Sequence, residues 1–177
     1  MFKSLLLFAA IGFASSTHAA SAQPLAGLAP GQFAYRILAV HNRERQQVGN
    51  PPLAWDPALA AAAASYAPVL ARLHQLVHSP RESRPGQREN LVMAVHGSLS
   101  PEEMVGVWLA EKRYVRPGLF PAVSATGNWM DVSHYTQMVW PTTTRVGCAL
   151  SQADWDYLVC RYSPPGNIDG RPVFSRR

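Results

Sequence analysis

One carboxylate in this sequence falls where a predicted helix should be apolar. The helix that opens at Ser100 carries an apolar stripe made of Met104, Val107, Trp108 and Val115. Glu111 lies on the same stripe, because it follows Val107 and Trp108 by four and three positions. A carboxylate on a buried helix face is destabilising unless it is paired or bound to a cation. Glu111 therefore predicts a basic partner or a metal ion on the inner face of this helix.

Three arginines form the main concentration of charge. The chain has a net charge of +5, and Arg81, Arg84 and Arg88 fall within a segment rich in Pro, Ser and Gly. One interpretation is a contact with an anion or an acidic surface, and the other is a solvated loop. No nucleic-acid-binding motif accompanies the charge, so a nucleic-acid partner is not expected.

The two cysteines, Cys148 and Cys160, lie close together in the sequence. In an oxidising compartment such a pair predicts one disulfide. Two cysteines are too few for a four-cysteine zinc site, and their spacing excludes a CxxC redox motif. In the loop-entropy model this bridge would stabilise the fold by roughly 3 kcal/mol.

The N-terminus has the layout of a secretory signal peptide, predicted at residues 1–22. Lys3 supplies the positive charge, residues 5–13 supply a short apolar run, and small residues precede cleavage after Ala22 or, nearly as well, after Ala19. The apolar run is too short for a permanent membrane anchor. The sequence predicts a secreted protein, extracellular or periplasmic, without a transmembrane segment.

About 155 residues follow the signal peptide, a length typical of one domain. Residues 23–30 are predicted to be a flexible lead-in, and residues 31–177 a single domain.

The first half of the domain is predicted to be helical. Apolar spacing predicts a helix from Gly31 to about Gln47, on whose apolar face His41 is expected to be a core histidine. Asp56 is a predicted N-cap for an alanine-rich helix with Leu70 and Leu73 among its apolar positions. Pro68 lies inside this pattern and predicts a kink or an early stop.

The second half contains the predicted strands. Residues 78–90 are predicted to be a polar loop, and residues 91–95 a short strand. The pattern of residues 133–140 fits a short helix or a strand equally well. Residues 146–150 and 157–162 predict a hairpin around Asp154 and Asp156. Together these elements predict an α+β domain.

Several motifs, in order, resemble those of the CAP superfamily, which includes plant pathogenesis-related 1 proteins, insect venom antigens and cysteine-rich secretory proteins. The resemblance runs from about Tyr35 to Asn167, and its strongest parts are HYTQMVW at 134–140 and YSPPGN at 162–167. The other matching segments are His41-Asn42-x-x-Arg45, Leu53-x-Trp55-x-x-x-Leu59, His78, Glu89-Asn90-Leu91, Trp108-x-x-Glu111 with Tyr114, and Val146-Gly147-Cys148.

The resemblance implies a three-layer α-β-α sandwich and a cleft lined by His78, Glu89, Glu111 and His134. Two imidazoles and two carboxylates are suitable ligands for a divalent metal, zinc above all. Tyr135 and Gln137, which flank His134 closely, are expected to order the cleft by hydrogen bonding.

Two residues beside this cleft depart from the family pattern. Arg88 and Ser133 each replace a usual glycine, which reaches positive φ more readily than other residues.

The family also suggests what the protein does. The expected function is that of a secreted binding module for defence or host interaction, with a sterol, a fatty acid or a protein as its partner. The alternatives are a metal-dependent hydrolase that uses the same four residues and an interaction scaffold with a vestigial site. Ser133 adjoins His134, but the chain has neither a GxSxG elbow nor an HExxH helix. No residue is therefore predicted to be catalytic, and the sequence favours a non-enzymatic role.

Overall fold

The computed structural model describes residues 30–174, which contain four α-helices and one four-stranded sheet. The helices are α1 (Pro30–Gln47), α2 (Pro57–Leu73), α3 (Pro101–Leu109) and α4 (Ser133–Met138). The strands are β1 (Ala54–Trp55), β2 (Arg88–Val95), β3 (Arg145–Gln152) and β4 (Trp155–Ser163). Short 3₁₀ helices lie at Arg81–Ser83, Ala110–Tyr114 and Trp129–Val132. The predicted signal peptide, 1–22, and residues 23–29 of the predicted lead-in lie outside the described residues.

The sheet lies between two helical layers. Its strand order is β1-β3-β4-β2, with β1 parallel to β3 and the other pairs antiparallel. Helix α2 packs on one face of the sheet, and α1, α3 and α4 lie on the opposite side of the sheet. The predicted α+β class and its three-layer α-β-α arrangement are therefore confirmed.

Strand β4 shows why both faces of the sheet are covered. Leu158, Cys160 and Tyr162 belong to the larger core cluster, whereas Tyr157 and Val159 pack in the cluster beneath α2. Because side chains alternate along a strand, this arrangement requires an apolar residue at nearly every position. The near-continuous burial of β4 is the consequence.

The predicted hairpin and its disulfide are present. Strands β3 and β4 place Cys148 directly opposite Cys160, with 4.1 Å between their Cα atoms, and the two form a disulfide. Asp156, predicted to lie between the two strands, is part of β4 and fully buried. Its carboxylate accepts hydrogen bonds from His96 Nδ1 and the Gly97 backbone N–H, which makes its burial possible.

Helix α2 begins as predicted but does not stop at its proline. The Asp56 carboxylate accepts hydrogen bonds from the N–H groups of Ala58 and Leu59, so Asp56 is the N-cap. The helix continues through Pro68 to Leu73, so the predicted early stop is wrong. Pro68 is exposed, and the helix ends where His74 takes a left-handed conformation with φ 52°.

Helix α3 has the predicted capping box but ends earlier than expected. Ser100 and Glu103 exchange the reciprocal hydrogen bonds of the box. After Leu109 the chain tightens into a 3₁₀ helix that carries Glu111. The predicted apolar stripe was wrong at Val107, which is 47% exposed, because the buried face is centred on Met104, Val105 and Trp108.

His41 is the core histidine that its position predicts. Its Nδ1–H donates to the Ile37 carbonyl at 2.8 Å, and its Nε2 lies 2.8 Å from the Tyr162 hydroxyl. Complete burial lowers the pKa of His41 to about 4, so the ring is neutral at physiological pH.

Within the described residues, every helix is too short or too polar to cross a lipid bilayer.

Gly147 allows α2 to pack directly on β3. A Cβ atom at Gly147 would lie 2.5 Å from the Asp56 carbonyl oxygen and 2.7 Å from the Leu59 carbonyl carbon. We expect Gly147→Ala to lower the free energy of unfolding by about 2–3 kcal/mol, because the first turn of α2 must move away from the sheet. Urea denaturation followed by circular dichroism measures this change.

Gly106→Ala in α3 is the matched control. Its new methyl group would meet no atom within 4 Å, and we expect stability to rise by about 0.5–1 kcal/mol from the lost backbone entropy. Equal effects of the two substitutions would contradict the close approach of α2 to β3.

Candidate functional site

An open cavity of about 750 Å³ lies at one end of β2 and α4. Glu89 and Asn90 of β2 line it, together with His134 of α4 and residues of three loops, 78–88, 120–130 and 167–169. Strand β2 starts at Arg88 rather than at residue 91, so Glu89 and Asn90 are held by the sheet and do not belong to the predicted polar loop. The pairing of Glu89 with Arg161 on β4 extends the ladder to the cavity.

The first histidine–carboxylate pair joins Glu111 to the start of α4. His134 Nδ1 lies 2.6 Å from Glu111 Oε1, and the backbone N–H groups of His134 and Tyr135 donate to Glu111 Oε2 at 3.0 Å each. The Trp108 ring stacks on the His134 imidazole, with the ring centroids 6.1 Å apart. The partner predicted for Glu111 is therefore present, and it comprises two backbone donors and an imidazole.

The second pair joins His78 to Glu89. His78 Nδ1 lies 3.0 Å from Glu89 Oε1, which also accepts from the Ser79 N–H at 3.0 Å. The other oxygen of Glu89 accepts from the Ser79 hydroxyl at 2.9 Å and lies 3.1 Å from Arg161 Nη2. Burial by itself would raise the pKa of Glu89, but these hydrogen bonds and the nearby Arg161 charge outweigh it and hold the pKa below its usual value.

Both histidines use the same ring nitrogen for their carboxylate. Nδ1 is occupied in His78 and in His134, and both residues line the cavity. Among residues 30–174, Nε2 of neither ring has a hydrogen-bond partner. Such carboxylate–histidine pairs are the usual outer support of metal-ligating imidazoles, because the carboxylate fixes the ring and its tautomer.

The four residues expected to bind metal do not form a closed cage. In the described part of the chain, no group of three or more His, Cys, Asp or Glu side chains is close enough together to hold a metal ion. Glu89 and Glu111 are engaged by donors of their own, as described above. The arrangement provides two imidazoles, each with its Nδ1 hydrogen-bonded to a carboxylate.

The two residues expected to order the cleft lie in different places. Gln137 lines the cavity, donates to the Thr143 hydroxyl at 3.2 Å and accepts from the Gly166 N–H at 2.9 Å. Tyr135 is buried in the core, where its hydroxyl donates to Glu44 on α1 at 2.7 Å. That hydrogen bond and burial raise the pKa of the Tyr135 hydroxyl far above its usual range, with burial the larger cause.

Ser133 lies beside His134 but is oriented elsewhere. Its hydroxyl donates to the Met130 carbonyl at 3.1 Å, and its own carbonyl accepts from the Asn167 side chain at 2.8 Å. Ser133 thus connects α4 to the loop that ends in Asn167. It provides no nucleophile hydrogen-bonded to a base, which serine catalysis requires.

The sequence did not decide whether the three arginines contact an anion or lie in a solvated loop. Arg81, Arg84 and Arg88 all line the cavity. Arg84 is buried, and its Nε donates to the Ser79 carbonyl at 3.1 Å, so the solvated-loop interpretation is wrong for Arg84.

Sequence reasoning missed the apolar part of the lining. Phe120, Pro121, Trp129, Met130 and Ile168 line the same cavity, and Trp129 packs edge-on against Phe120 with 5.4 Å between ring centroids. The only signal in the sequence was the apolar pair Trp129-Met130 after a Pro/Gly-rich stretch. Periodicity does not reveal it, because these residues lie in a loop and a short 3₁₀ helix.

The model of the CAP family, described as the cysteine-rich secretory protein family, matches residues 38–162. The chain belongs to this family. Pathogenesis-related protein 1C of Nicotiana tabacum is 37% identical over 139 residues, which cover 77% of this chain and 78% of that protein. Venom allergen 5 of Brachyponera chinensis is 32% identical over 164 residues, covering 78% of this chain and 81% of the allergen.

Solved structures share the fold of this CAP protein. A crystal structure of NaASP2 with Zn²⁺ has a TM-score of 0.70 at 24% sequence identity, covering 87% of this chain and 90% of NaASP2. The crystal structure of MpPR-1i has a TM-score of 0.57 at 20% identity, covering 85% of this chain and all of MpPR-1i. These likenesses confirm the α-β-α sandwich as that of a CAP domain.

The hydrogen bonds around Glu89 predict a pH-dependent contribution to stability. We expect Glu89→Gln to lower the free energy of unfolding by about 2–3 kcal/mol at pH 7, because the buried Arg161 loses its anionic partner. The folded-state pKa of Glu89 is depressed, so its contribution is present above the unfolded-state pKa and is lost as pH falls through the folded-state value. The difference between wild type and variant should therefore shrink in acid.

Denaturant titrations at about pH 7 and pH 3 measure this difference. Glu82→Gln removes the same charge from the exposed 3₁₀ helix nearby and serves as the control. A loss of equal size at both pH values would contradict a stabilising role for the ionised Glu89.

Proposed function

We propose that this CAP protein is a secreted binding module that holds a divalent metal ion, zinc above all, at His78 and His134. The observation that carries the proposal is that both imidazoles line one open cavity, each paired through Nδ1 with a carboxylate and each with an Nε2 that has no partner among residues 30–174. In this arrangement the imidazoles bind the metal directly, and Glu89 and Glu111 orient them from behind. When bound, the metal would present open coordination positions to a ligand in the cavity.

Secretion is supported by the disulfide and by the relatives. Cys148 and Cys160 form a cross-strand bridge, and such bridges persist in oxidising compartments. The family is described as secretory, and the similar proteins include pathogenesis-related proteins and a venom allergen. A role in defence or host interaction, outside the cell or in a periplasm, follows from these relatives.

The proposal also includes an apolar ligand, such as a lipid, for the cavity. The apolar residues that line the cavity support binding of a fatty acid, a sterol or the apolar surface of a protein partner. The alanine-rich face of α2 does not support it, because Ala63 and Leu70 are buried in the core cluster that α2 shares with the sheet. Hydrolysis through Ser133 draws no support either, since its hydroxyl is directed to Met130.

Zinc binding by the histidines can be measured directly. We expect the metal-stripped protein to bind one Zn²⁺ per chain by calorimetry at pH 7.5, and His78→Ala and His134→Ala each to weaken binding by about tenfold or more. Binding should also weaken at pH 5, because the imidazoles must be deprotonated to ligate the metal.

His74→Asn is the matched control. His74 is exposed, lies outside the cavity lining and has a left-handed backbone that asparagine also adopts. No binding by the folded wild type would refute the metal site, make the two pairs a structural network and leave lipid or protein partners to be tested. Loss of binding in the His74 variant as well would place the metal elsewhere.

Glu111→Gln tests whether the Glu111 carboxylate orients the His134 imidazole for metal binding. Gln can still accept the N–H bonds of α4 but lacks the charge, so we expect about 10–100-fold weaker zinc binding with the fold retained. Calorimetry measures the affinity, and near-ultraviolet circular dichroism checks the packing of Trp108 on His134. Unchanged zinc affinity in a folded variant would contradict the orienting role.

A further inference from the structure

Two of the arginines that line the cavity have no partner among the described residues. Arg84 is engaged by the Ser79 carbonyl. In contrast, the guanidinium groups of Arg81 and Arg88 make no hydrogen bond or ion pair with any residue in 30–174. A guanidinium group carries five donors in a rigid fork that matches carboxylate and phosphate oxygens. Both groups are therefore free to bind an anion in the cavity.

The arginines also repel one another. Arg81, Arg84 and Arg88 line one cavity, and their positive charges act on one another. Asp169 offsets part of this charge, but it is exposed and forms no ion pair with another described residue. Glu89 is already engaged by His78, Ser79 and Arg161. A bound anion would relieve this repulsion.

The same cavity offers an apolar surface to the remainder of such a ligand. Trp129 and Met130 line it and are 42% and 59% exposed, so two adjacent apolar side chains face solvent in the cavity. The Trp129 ring is held in place by its contact with Phe120. An apolar chain or ring lying on these side chains would remove them from water.

We propose that Arg81 and Arg88 form a subsite for an amphiphilic anion, with its carboxylate or phosphate on the guanidinium groups and its apolar body against Trp129 and Met130. The subsite rests on the proposed ligand-binding function of the cavity but does not require the metal. It also gives Arg88, which the cavity lining includes, a role in ligand binding.

Calorimetry with short-chain amphiphiles tests this subsite in protein treated with a chelator. The probes are decyl phosphate and decanoate, with decanol as the neutral chain and inorganic phosphate as the bare anion. We expect at least one of the two amphiphilic anions to bind more tightly than decanol and inorganic phosphate. The tighter of the two identifies the head group. Its affinity should fall as salt is raised, because the attraction is electrostatic.

Substitutions then locate the binding. Arg81→Gln and Arg88→Gln should each weaken binding of the amphiphilic anion by about tenfold, the effect of one charged hydrogen bond. Arg88→Lys should retain part of the affinity. Trp129→Ala should weaken the amphiphile but leave inorganic phosphate unchanged. The matched control is Arg72→Gln, which removes an exposed arginine of α2 that lies outside the cavity lining and has no ion pair within residues 30–174.

The outcomes separate this subsite from the metal site. His78→Ala should weaken zinc binding by about tenfold or more but change binding of the amphiphile less than about twofold, so that either proposal can fail alone. The subsite is refuted if decanol binds as tightly as both anions, or if the Arg81 and Arg88 variants bind like the Arg72 control. Thermal unfolding of each variant verifies that a loss of binding is not a loss of fold.

Discussion

The geometry of the cleft depends on the hydrogen bonds of the Glu111 carboxylate. Helix α4 has only six residues, far fewer than an isolated helix needs for stability in water. Glu111 accepts two of its first N–H groups, which would otherwise lack partners, and its negative charge is favourable at that end of the helix dipole. The same carboxylate fixes the His134 ring, and the Asn90 side chain donates to the His134 carbonyl from β2. Glu111 thereby joins the 3₁₀ helix after α3 to the start of α4, and Asn90 joins α4 to the edge strand of the sheet.

The opposite end of α4 is held by a buried cation. Arg45 of α1 donates to the carbonyl oxygens of Met138 and Trp140 at 3.0 and 2.9 Å, and to that of Thr143 at 2.9 Å. Burial lowers the pKa of Arg45 to about 10, which still leaves it charged at neutral pH. A carboxylate at the N-terminal end and a guanidinium at the C-terminal end both complement the dipole of α4. The short helix is therefore positioned by charges from outside itself.

Local patterns in the sequence predicted the elements whose determinants are local. The Ser100 capping box, the Asp56 N-cap and the pairing of Cys148 with Cys160 all follow from residues close together in the chain. The position of Glu111 predicted a partner, but not that two backbone N–H groups would be part of it, because those donors come from a helix that the sequence left undecided. Arg84 was equally ambiguous, since its burial depends on a loop that folds back on Ser79. Contacts between distant segments decide such positions, and periodicity carries no information about them.

The negative and positive charges in and around the cavity do not cancel one another. Glu89 lines the cavity with the arginines, but its carboxylate already interacts with donors of its own, Arg161 among them, and Glu111 accepts hydrogen bonds from α4. The charge of each carboxylate is offset by these donors, so Arg81 and Arg88 leave the lining with excess positive charge that Asp169 offsets only in part. A cation that approaches the two imidazoles must pass this positive field, whereas an anion is drawn into it. An anion bound at Arg81 and Arg88 would therefore favour a metal ion at the imidazoles, and a bound metal ion would favour the anion to the same extent.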